Sequence, residues 1–388
     1  MSHGFVPPAY PYDRLEAARE VAAQHPGGVV DLSIGTPTDP PPEVAMAELA
    51  RIYGLGGVAS GAMDANGSAR GYPPSIGTPE LRRAIQRWTK DRLGAAIPLD
   101  AVAACVGTKE FVATLPQWLK LRNPGRDTVL YPAVSYPTYE MGATLAGLRA
   151  VKVPMDEAWR LDLGALSTED VSRALMLWVN TPGNPAGALD DLTRAAAWGV
   201  EAGVPVFSDE CYAEFTWEGP PRTILGHGSG PDGIDGVVAV HSMSKRSNMA
   251  GMRVGWYAGD RELVGYLREV RKHAGFMVPG PVQAAAAAAL GDQEHVEQQR
   301  ARYWSRLTRA REILAGIGVA AELPEGGFYL WAPTPDGDDW AWTDWLASKG
   351  GVLVSPGSFY GVEGAGHVRL AMVAPIERLD QVASRLGV

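Results

Sequence analysis

The sequence predicts an α/β protein, with a large domain built on a largely parallel β-sheet and a smaller α+β domain behind it. Three patterns in its 388 residues indicate this architecture. From about residue 75 to about residue 275, short apolar runs alternate with segments of helical periodicity, which is typical of a parallel sheet covered on both faces. An alanine-rich helical stretch follows, and beyond it short strands mix with helices. At the other end, the proline-rich residues 1–40 predict an extended arm.

The apolar runs of the large domain have the length of buried strands. They predict seven of them, at 101–106, 128–131, 149–153, 174–179, 204–208, 237–241 and 253–258. Segments with helical spacing of apolar residues lie between several of these runs, and they predict helices over 79–92, 189–202 and 260–272. The order of the elements therefore favours repeated strand–helix–strand units.

The two ends of the chain have a different pattern. A short helix is predicted over 14–24, and the stretch 282–314 predicts either one long helix or a broken pair. Tail strands are predicted at 319–323, 327–331, 352–354 and 368–372, with helices at 339–348 and 376–386. We therefore expect an arm over 1–40 that packs with the small domain, a large domain over 41–280 and a small domain over 281–388.

Composition excludes several classes of function. The chain is 46% hydrophobic and 20% charged, as soluble globular proteins are, and its formal net charge is −9. Without a long basic block, binding to nucleic acid or to an anionic membrane is not expected. No apolar run has the length of a signal peptide core or a membrane span, and Cys105 and Cys211 lack metal-ligand spacing. We expect a cytoplasmic protein with reduced, buried thiols and no metal.

Lys245 is the first candidate for chemistry. It lies in HSMSKRSNMAGMRVG, between two apolar runs of strand type, and Arg253 follows eight positions later. Loops at strand ends are where open α/β sheets bind ligands. A lysine in a partly dry site can act as an amine nucleophile, and an arginine fork suits a phosphate. Taken alone, a solvated surface lysine is the commoner explanation.

Polar residues at the ends of two other predicted strands add to this set. Asp209 follows one strand, with Tyr212 three residues later, and a carboxylate there could keep a pyridine nitrogen protonated. Asn184 follows another, in NTPGNPAG, and its amide could donate a hydrogen bond to a ring oxygen. An N-capping aspartate and a plain Asn-Pro turn explain the same residues.

Three further segments have the residue types of a cofactor and substrate site. The turn VGTKE places Thr108 and Lys109 at the start of a predicted helix, where backbone N–H groups favour a phosphate. The segment YPAVSYPTY supplies rings that could stack on a planar molecule. Arg369 is a charge inside an apolar tail strand, so it needs a carboxylate partner from the protein or from a substrate. An ordinary loop, core tyrosines and a structural ion pair are the alternatives.

Together these residues resemble the class I and II aminotransferases of fold type I, which depend on pyridoxal 5'-phosphate. The resemblance covers nearly the whole chain and rests on N-x-x-x-N-P-x-G at 180–187, D-x-x-Y at 209–212 and S-x-S-K followed by R-x-G at 242–255. It implies that Lys245 bonds to the cofactor and then moves the substrate proton, and that Asp209 holds the ring nitrogen. The remaining implied cofactor contacts are Tyr212 and Asn184 at the ring hydroxyl, Ser242, Arg253, Thr108 and Lys109 at the phosphate, and Tyr139, with Tyr136 as competitor, stacked on the ring.

The resemblance also implies a substrate site and a partner. Arg369 is expected to bind the substrate α-carboxylate with Gly35 and Asn184 beside it, and Tyr72 to reach the phosphate of a second subunit in a homodimer. The segments SDECYAEFTWEG, HSMSKRSNMAGMRVGWYAGD and RKHAGFMVPGPVQAA resemble actinobacterial N-succinyl-LL-diaminopimelate aminotransferases of lysine biosynthesis. The implied reaction is a ping-pong exchange between glutamate/2-oxoglutarate and N-succinyl-2-amino-6-oxoheptanedioate.

Two departures from the family pattern and three rival functions remain. Ala186 and Thr108 stand where threonine and serine are frequent, and both positions act mainly through backbone. Another aminotransferase specificity or a carbon–sulfur β-lyase would share every cofactor residue, whereas a non-catalytic pyridoxal-binding regulator is disfavoured. Distal carboxylates of the substrate call for basic groups, and Arg271, Lys272 and His273 are candidates. A solvated helix end is the alternative for that triplet.

Overall fold

The computed structural model describes residues 4–54 and 71–388. Contacts along the chain divide it into two compact units. The first comprises Met1–Gly35, Tyr303–Pro324 and Phe328–Val388, and the second comprises Thr36–Arg302 and Glu325–Gly327. Within the described residues, no helix is both long and apolar enough to cross a membrane.

The second unit contains the predicted large sheet. Over the described residues it has seven strands, which lie in the order β2 (Val102–Cys105), β8 (Gly255–Gly259), β7 (Val237–Ser242), β6 (Val206–Asp209), β5 (Ala174–Asn180), β3 (Thr128–Pro132) and β4 (Arg149–Val153). All neighbours are parallel except β8, which runs antiparallel to both β2 and β7. The predicted mostly parallel sheet is therefore confirmed.

Both faces of this sheet are buried. Successive residues of a strand enter opposite cores: Val206 belongs to one apolar cluster and Phe207 to the other. Every residue of β5 is buried, which explains its continuous apolar run. The helices of this unit are α2 (Glu43–Tyr53), α3 (Pro79–Leu93), α4 (Thr108–Arg122), α5 (Thr138–Leu145), α6 (Thr168–Arg173), α7 (Leu192–Ala202), α8 (Met243–Arg246), α9 (Arg261–His273) and α10 (Gly280–Gly291).

Side-chain caps set where several helices begin. Thr78 accepts a hydrogen bond from the backbone N–H of Leu81 at the start of α3, and Asp260 does the same for Leu263 at α9. The helix predicted from residue 189 begins instead at Leu192, because Asp191 accepts from the N–H of Arg194 and so caps α7. The preceding residues, Leu189 and Asp190, are buried in the connection before it.

The stretch 282–314 forms the broken pair rather than one helix. Its two parts are α10 and α11 (Glu294–Gly316). Because α10 packs against α2 and α3, residues 281–302 fall in the unit that contains the large sheet, although the sequence placed them in the small domain. The limit between the units lies within α11.

The first unit has two small sheets. Strand β1 (Val30–Asp31) pairs in parallel with β10 (Val352–Leu353), and β12 (His367–Ala371) lies antiparallel between β11 (Ser355–Pro356) and β9 (Tyr329–Pro333). The other helices here are α1 (Glu16–Ala22), α12 (Asp339–Gly350) and α13 (Ile376–Leu386).

The strand predicted at 319–323 is wrong. These residues, all within the described part of the chain, have no strand assignment. Gly318 has a φ of 83°, and the N–H of Val319 donates to the carbonyl oxygen of Leu314 at 2.9 Å. The apolar run therefore closes the end of α11 and is not available for a ladder.

Candidate active site

The candidate residues of the second unit lie at one edge of the large sheet. Strands β5, β6 and β7 are parallel, and they end at Asn180, Asp209 and Ser242. In register, Asn180 lies beside Asp209, and Asp209 beside Val240. Strand β8 runs the other way and begins opposite Ser242, so Arg253 enters at this same edge. The carboxyl edge of a parallel sheet is where α/β proteins bind ligands.

Lys245 is held by a short helix that begins directly after β7. The hydroxyl of Ser242 caps this helix by accepting from the N–H of Ser244 at 3.0 Å, and the Lys245 side chain is half-buried. The next residue, Arg246, is 2% exposed and donates to Glu214 at 3.2 Å and to the carbonyl oxygen of Ala289 at 2.9 Å. These contacts anchor the short helix that carries Lys245 on its buried side.

Asp209 is a buried carboxylate with a separate donor for each oxygen. The Tyr139 hydroxyl donates to Oδ2 at 2.9 Å, and the N–H of Cys211 donates to Oδ1 at 3.3 Å. Burial raises the pKa of Asp209 above its ordinary value, and the hydrogen bonds from Cys211 and Tyr139 oppose that rise. The thiol of Cys211 lies 3.4 Å from the hydroxyl of Thr108, so this segment also contacts the start of α4.

An anion cradle is formed at the amino end of α4. Gly107 precedes the helix with a φ of 75° and, as a glycine, has no side chain with which to cap the first turn. A Cβ atom on Gly107 would lie 2.2 Å from Nη2 of Arg253, so only glycine lets this guanidinium approach the backbone. Thr108 is half-buried and Lys109 is exposed. Helix N–H groups beside an arginine suit a phosphate.

Asn184 and Tyr212 are both buried near these strand ends, each 7% exposed. The turn that carries Asn184 is held by Asn180, whose side-chain carbonyl accepts from the N–H of Asn184 at 2.8 Å and whose amide donates to the carbonyl oxygen of Asp209 at 2.9 Å. Asn180 therefore ties the Asn184 turn to the end of β6, a supporting role that its position four residues earlier in the motif could have suggested.

The structure separates the two stacking candidates. Tyr139 is 0% exposed, its ring packs on Trp178 at 5.1 Å, and its hydroxyl is bonded to Asp209. Tyr136 is half-buried, and its ring meets Tyr139 edge-on at 5.9 Å. A ring that stacks on a bound molecule needs accessible surface, and the Tyr136 ring retains some whereas the Tyr139 ring has none.

In the first unit, Arg369 lies between two aromatic rings. Its guanidinium carbon is 4.3 Å from the ring centre of Tyr329 and 4.9 Å from that of Tyr360, and its Nη2 donates to the carbonyl oxygen of Ser33. A Cβ atom on Gly35 would lie 2.1 Å from the Tyr329 hydroxyl. Gly35 and Arg369 thus contact the same tyrosine, and neither Tyr329 nor Tyr360 was expected from the sequence.

Two other candidates have distinct environments. Tyr72 is 92% exposed. Arg271 is 1% exposed and forms a fork on Glu110, with N–O distances of 2.8 and 2.7 Å, so neither a substrate role nor a solvated helix end describes it. Lys272 and His273 are exposed. Among the described residues, no group of His, Cys, Asp and Glu could hold a metal ion.

Sequence comparison assigns the family. The chain belongs to the class I and II aminotransferases, whose family model matches residues 27–386. It is therefore a pyridoxal 5'-phosphate-dependent enzyme that transfers amino groups.

Relatives of known name span almost the full chain. It is 42% identical to 4-dedimethylamino-4-oxo-anhydrotetracycline transaminase OxyQ of Streptomyces rimosus, over 98% of this chain and 99% of that protein. It is 32% identical to LL-diaminopimelate aminotransferase of Dehalococcoides mccartyi, over 97% and 96%. The structure of a probable N-succinyldiaminopimelate aminotransferase of Thermus thermophilus superposes with a TM-score of 0.83 at 29% identity, over 97% and 98%.

The described residues fit the cofactor of this family. The glycine cradle beside Arg253 suits its phosphate, and the buried carboxylate of Asp209 suits a protonated pyridine nitrogen. Lys245, between these two groups along the sheet edge, supplies the amine that its aldehyde requires.

Proposed function

We propose that this enzyme exchanges an amino group between glutamate/2-oxoglutarate and N-succinyl-2-amino-6-oxoheptanedioate, a step of lysine biosynthesis. One observation carries the transamination chemistry: Asp209 ends strand β6, and Lys245 lies shortly after the end of the neighbouring parallel strand β7. Two similar proteins act, by their names, on diaminopimelate or its N-succinyl form, and this supports the substrate class.

In this proposal, Lys245 and Asp209 share the chemical work. Bound pyridoxal phosphate would supply an electron sink for the bonds of the substrate α-carbon. Nζ of Lys245 would take the α-proton and hold it until its return. The Asp209 carboxylate would hold a positive charge at the ring nitrogen, since opposite charges stabilise each other in a buried site.

The other residues would bind and orient. Ser242, Arg253, Thr108 and Lys109 would hold the phosphate. Asn184 and Tyr212 would bond the ring hydroxyl, and Tyr136 would stack on the ring. The positions of these residues at or near the carboxyl edge of the large sheet support these assignments.

Substrate binding and assembly complete the proposal. Arg369 would bind the α-carboxylate as a fork, with Gly35 and Asn184 beside it. We propose a homodimer in which Tyr72 of one copy reaches the phosphate site of the other, and its 92% exposure leaves the ring available for this. A cytoplasmic location is proposed because Cys105 and Cys211 are free thiols.

A bulky cyclic ketone is the second candidate acceptor. The observation that favours it is the 42% identity to OxyQ, whose name describes a transaminase of an oxo-anhydrotetracycline. Both candidates share the cofactor residues, so only the acceptor distinguishes them.

The test is an acceptor panel with glutamate as donor, in which 2-oxoglutarate formation is measured. We expect N-succinyl-2-amino-6-oxoheptanedioate to give the highest kcat/KM. A higher value for a polycyclic ketone would transfer the assignment to the second candidate, and release of pyruvate from cystathionine would favour a β-lyase. Lys245→Ala should abolish turnover with every acceptor, and retained transamination would refute the role of Lys245.

A further inference from the structure

The hydrogen bond between Tyr139 and Asp209 joins two residues that lie far apart in the sequence. Tyr139 is the second residue of α5, and its hydroxyl lies 2.9 Å from Oδ2 of Asp209 at the end of β6. Both side chains are buried. We propose that Tyr139 is a positioning residue: its hydroxyl keeps the Asp209 carboxylate ionised and directed towards the ring nitrogen of the cofactor. This inference rests on the role proposed above for Asp209.

The surroundings of Tyr139 leave its hydroxyl little freedom. The ring packs on Trp178 at a centroid distance of 5.1 Å and against Tyr136 at 5.9 Å, and its own backbone N–H donates to the carbonyl oxygen of Tyr136. Burial raises the pKa of the Tyr139 phenol well above its ordinary value. The group therefore stays protonated and acts as a permanent donor.

The bond matters because a proton between a carboxylate and a pyridine nitrogen can reside on either. Burial disfavours the carboxylate anion of Asp209, and hydrogen bonds from Cys211 and Tyr139 oppose that effect. On Oδ2, the donor is Tyr139. Without it, the proton would move towards the carboxylate, and the positive charge on the ring would be lost. A hydrogen bond to a charged group is among the stronger ones in proteins.

A purely structural role for Tyr139 makes a different prediction. Tyr139→Phe removes one oxygen and keeps the ring that packs on Trp178. If the residue only filled the core, the change would affect all ligands of the site alike. If it acts through Asp209, the change affects only ligands that carry a basic ring nitrogen.

The experiment uses two ligands on cofactor-free protein: pyridoxal phosphate, and its carbocyclic analogue with a C–H group in place of the ring nitrogen. Dissociation constants are measured by absorbance, and their ratio gives the preference for the nitrogen. We expect Tyr139→Phe to lower that preference about tenfold. The matched control is Tyr266→Phe, which removes a 2.7 Å hydrogen bond to the carbonyl oxygen of Trp118 elsewhere in the same unit and should leave the ratio unchanged.

A double-mutant cycle completes the test. In an Asp209→Asn background, Tyr139→Phe should no longer change the ratio, because the charge through which it acts is gone. An unchanged ratio in Tyr139→Phe alone, or the same change in both backgrounds, overturns the inference. If Tyr139→Phe does not fold, 3-fluorotyrosine at position 139, a more acidic donor, should raise the ratio, and no rise counts against it.

The outcome is separable from that of the proposed function. The ratio measures cofactor binding and needs no turnover. A parent enzyme that aminates no acceptor, yet shows the shifted ratio in Tyr139→Phe, would refute the proposed reaction and leave this inference intact. An active parent enzyme whose ratio is unchanged by Tyr139→Phe would support the proposed reaction and refute this inference.

Discussion

The buried pair of Arg271 and Glu110 connects the end of α9 to the first turn of α4, the helix whose amino end forms the anion cradle. The two guanidinium nitrogens lie 2.8 and 2.7 Å from the two carboxylate oxygens. Glu110 also accepts from the N–H of Val106 at 3.3 Å, next to Gly107. The perturbation is Glu110→Gln, which preserves size and removes the charge.

The expected loss follows from burial. The Arg271 side chain is 2% exposed and that of Glu110 18%, so the substitution leaves a guanidinium charge buried without its counterion. Breaking such a pair costs about 3–5 kcal/mol of unfolding free energy. For a chain of this length, that corresponds to a fall of about 5 °C in the melting temperature. The physical reason is that the buried guanidinium has been removed from water and no opposite charge compensates for the lost hydration.

Thermal unfolding of the parent and the variant, followed by circular dichroism, measures this loss. The control is Glu262→Gln, the same change in an exposed pair: Glu262 is 84% exposed and lies 3.0 Å from Arg122. It should cost less than about 1 kcal/mol. Equal shifts for Glu110→Gln and Glu262→Gln would refute the reasoning. Glu110→Gln with Arg271→Met should recover much of the loss, since no uncompensated charge then remains buried.

Three further substitutions test other parts of the structure. Burial raises the pKa of Asp190 from 3.8 to about 6, so the folded protein is favoured by the neutral carboxyl below pH 3.8 and loses that advantage as pH rises through 6. Asp190→Asn should therefore raise the unfolding free energy by roughly 2–3 kcal/mol at pH 8 and leave it unchanged at pH 3.5. Thermal melts at the two pH values measure this, and an equal gain at both would contradict the predicted pH dependence. Gly107→Ala should displace Arg253 and reduce the preference for pyridoxal phosphate over pyridoxal at least about tenfold, whereas equal weakening of both ligands would speak against a phosphate cradle. Arg369→Ala should raise KM for carboxylate substrates about 100-fold and leave decarboxylated amine donors unaffected; a similar rise for both would exclude carboxylate binding.

Local pattern was sufficient for most strands of the large sheet. The run predicted at 174–179 forms Ala174–Asn180, because a strand buried on both faces is marked by continuous apolar residues. Pattern failed at 319–323, where an equally apolar run ends a helix: five residues cannot reveal whether a neighbouring strand will be available. Helix α7 begins three residues later than predicted because the side chain of Asp191 caps it.

The candidate site divides in the same way. Asp209 and Lys245 could be predicted because each lies at or shortly after the end of a strand, and the strand ends meet at one edge of the sheet. Contacts between distant residues could not be. Tyr139 is 70 positions from the carboxylate that it bonds, and Arg271 is 161 positions from Glu110. The packing of α5 and α9 brings these groups together, and the sequence pattern does not show that packing. Tyr139 was therefore expected at the cofactor ring and Arg271 near a substrate.

The burial of both thiols has a practical consequence for chemical labelling. Cys105 and Cys211 are the two cysteines of the chain, and burial raises the pKa of each above its ordinary value. The thiolate is the reactive form, so both will react slowly with maleimides at neutral pH. A cysteine introduced at an exposed position, such as Leu121, would therefore accept a dye or spin label at a single site in an otherwise unaltered chain. Spectroscopy on this enzyme does not require a cysteine-free background.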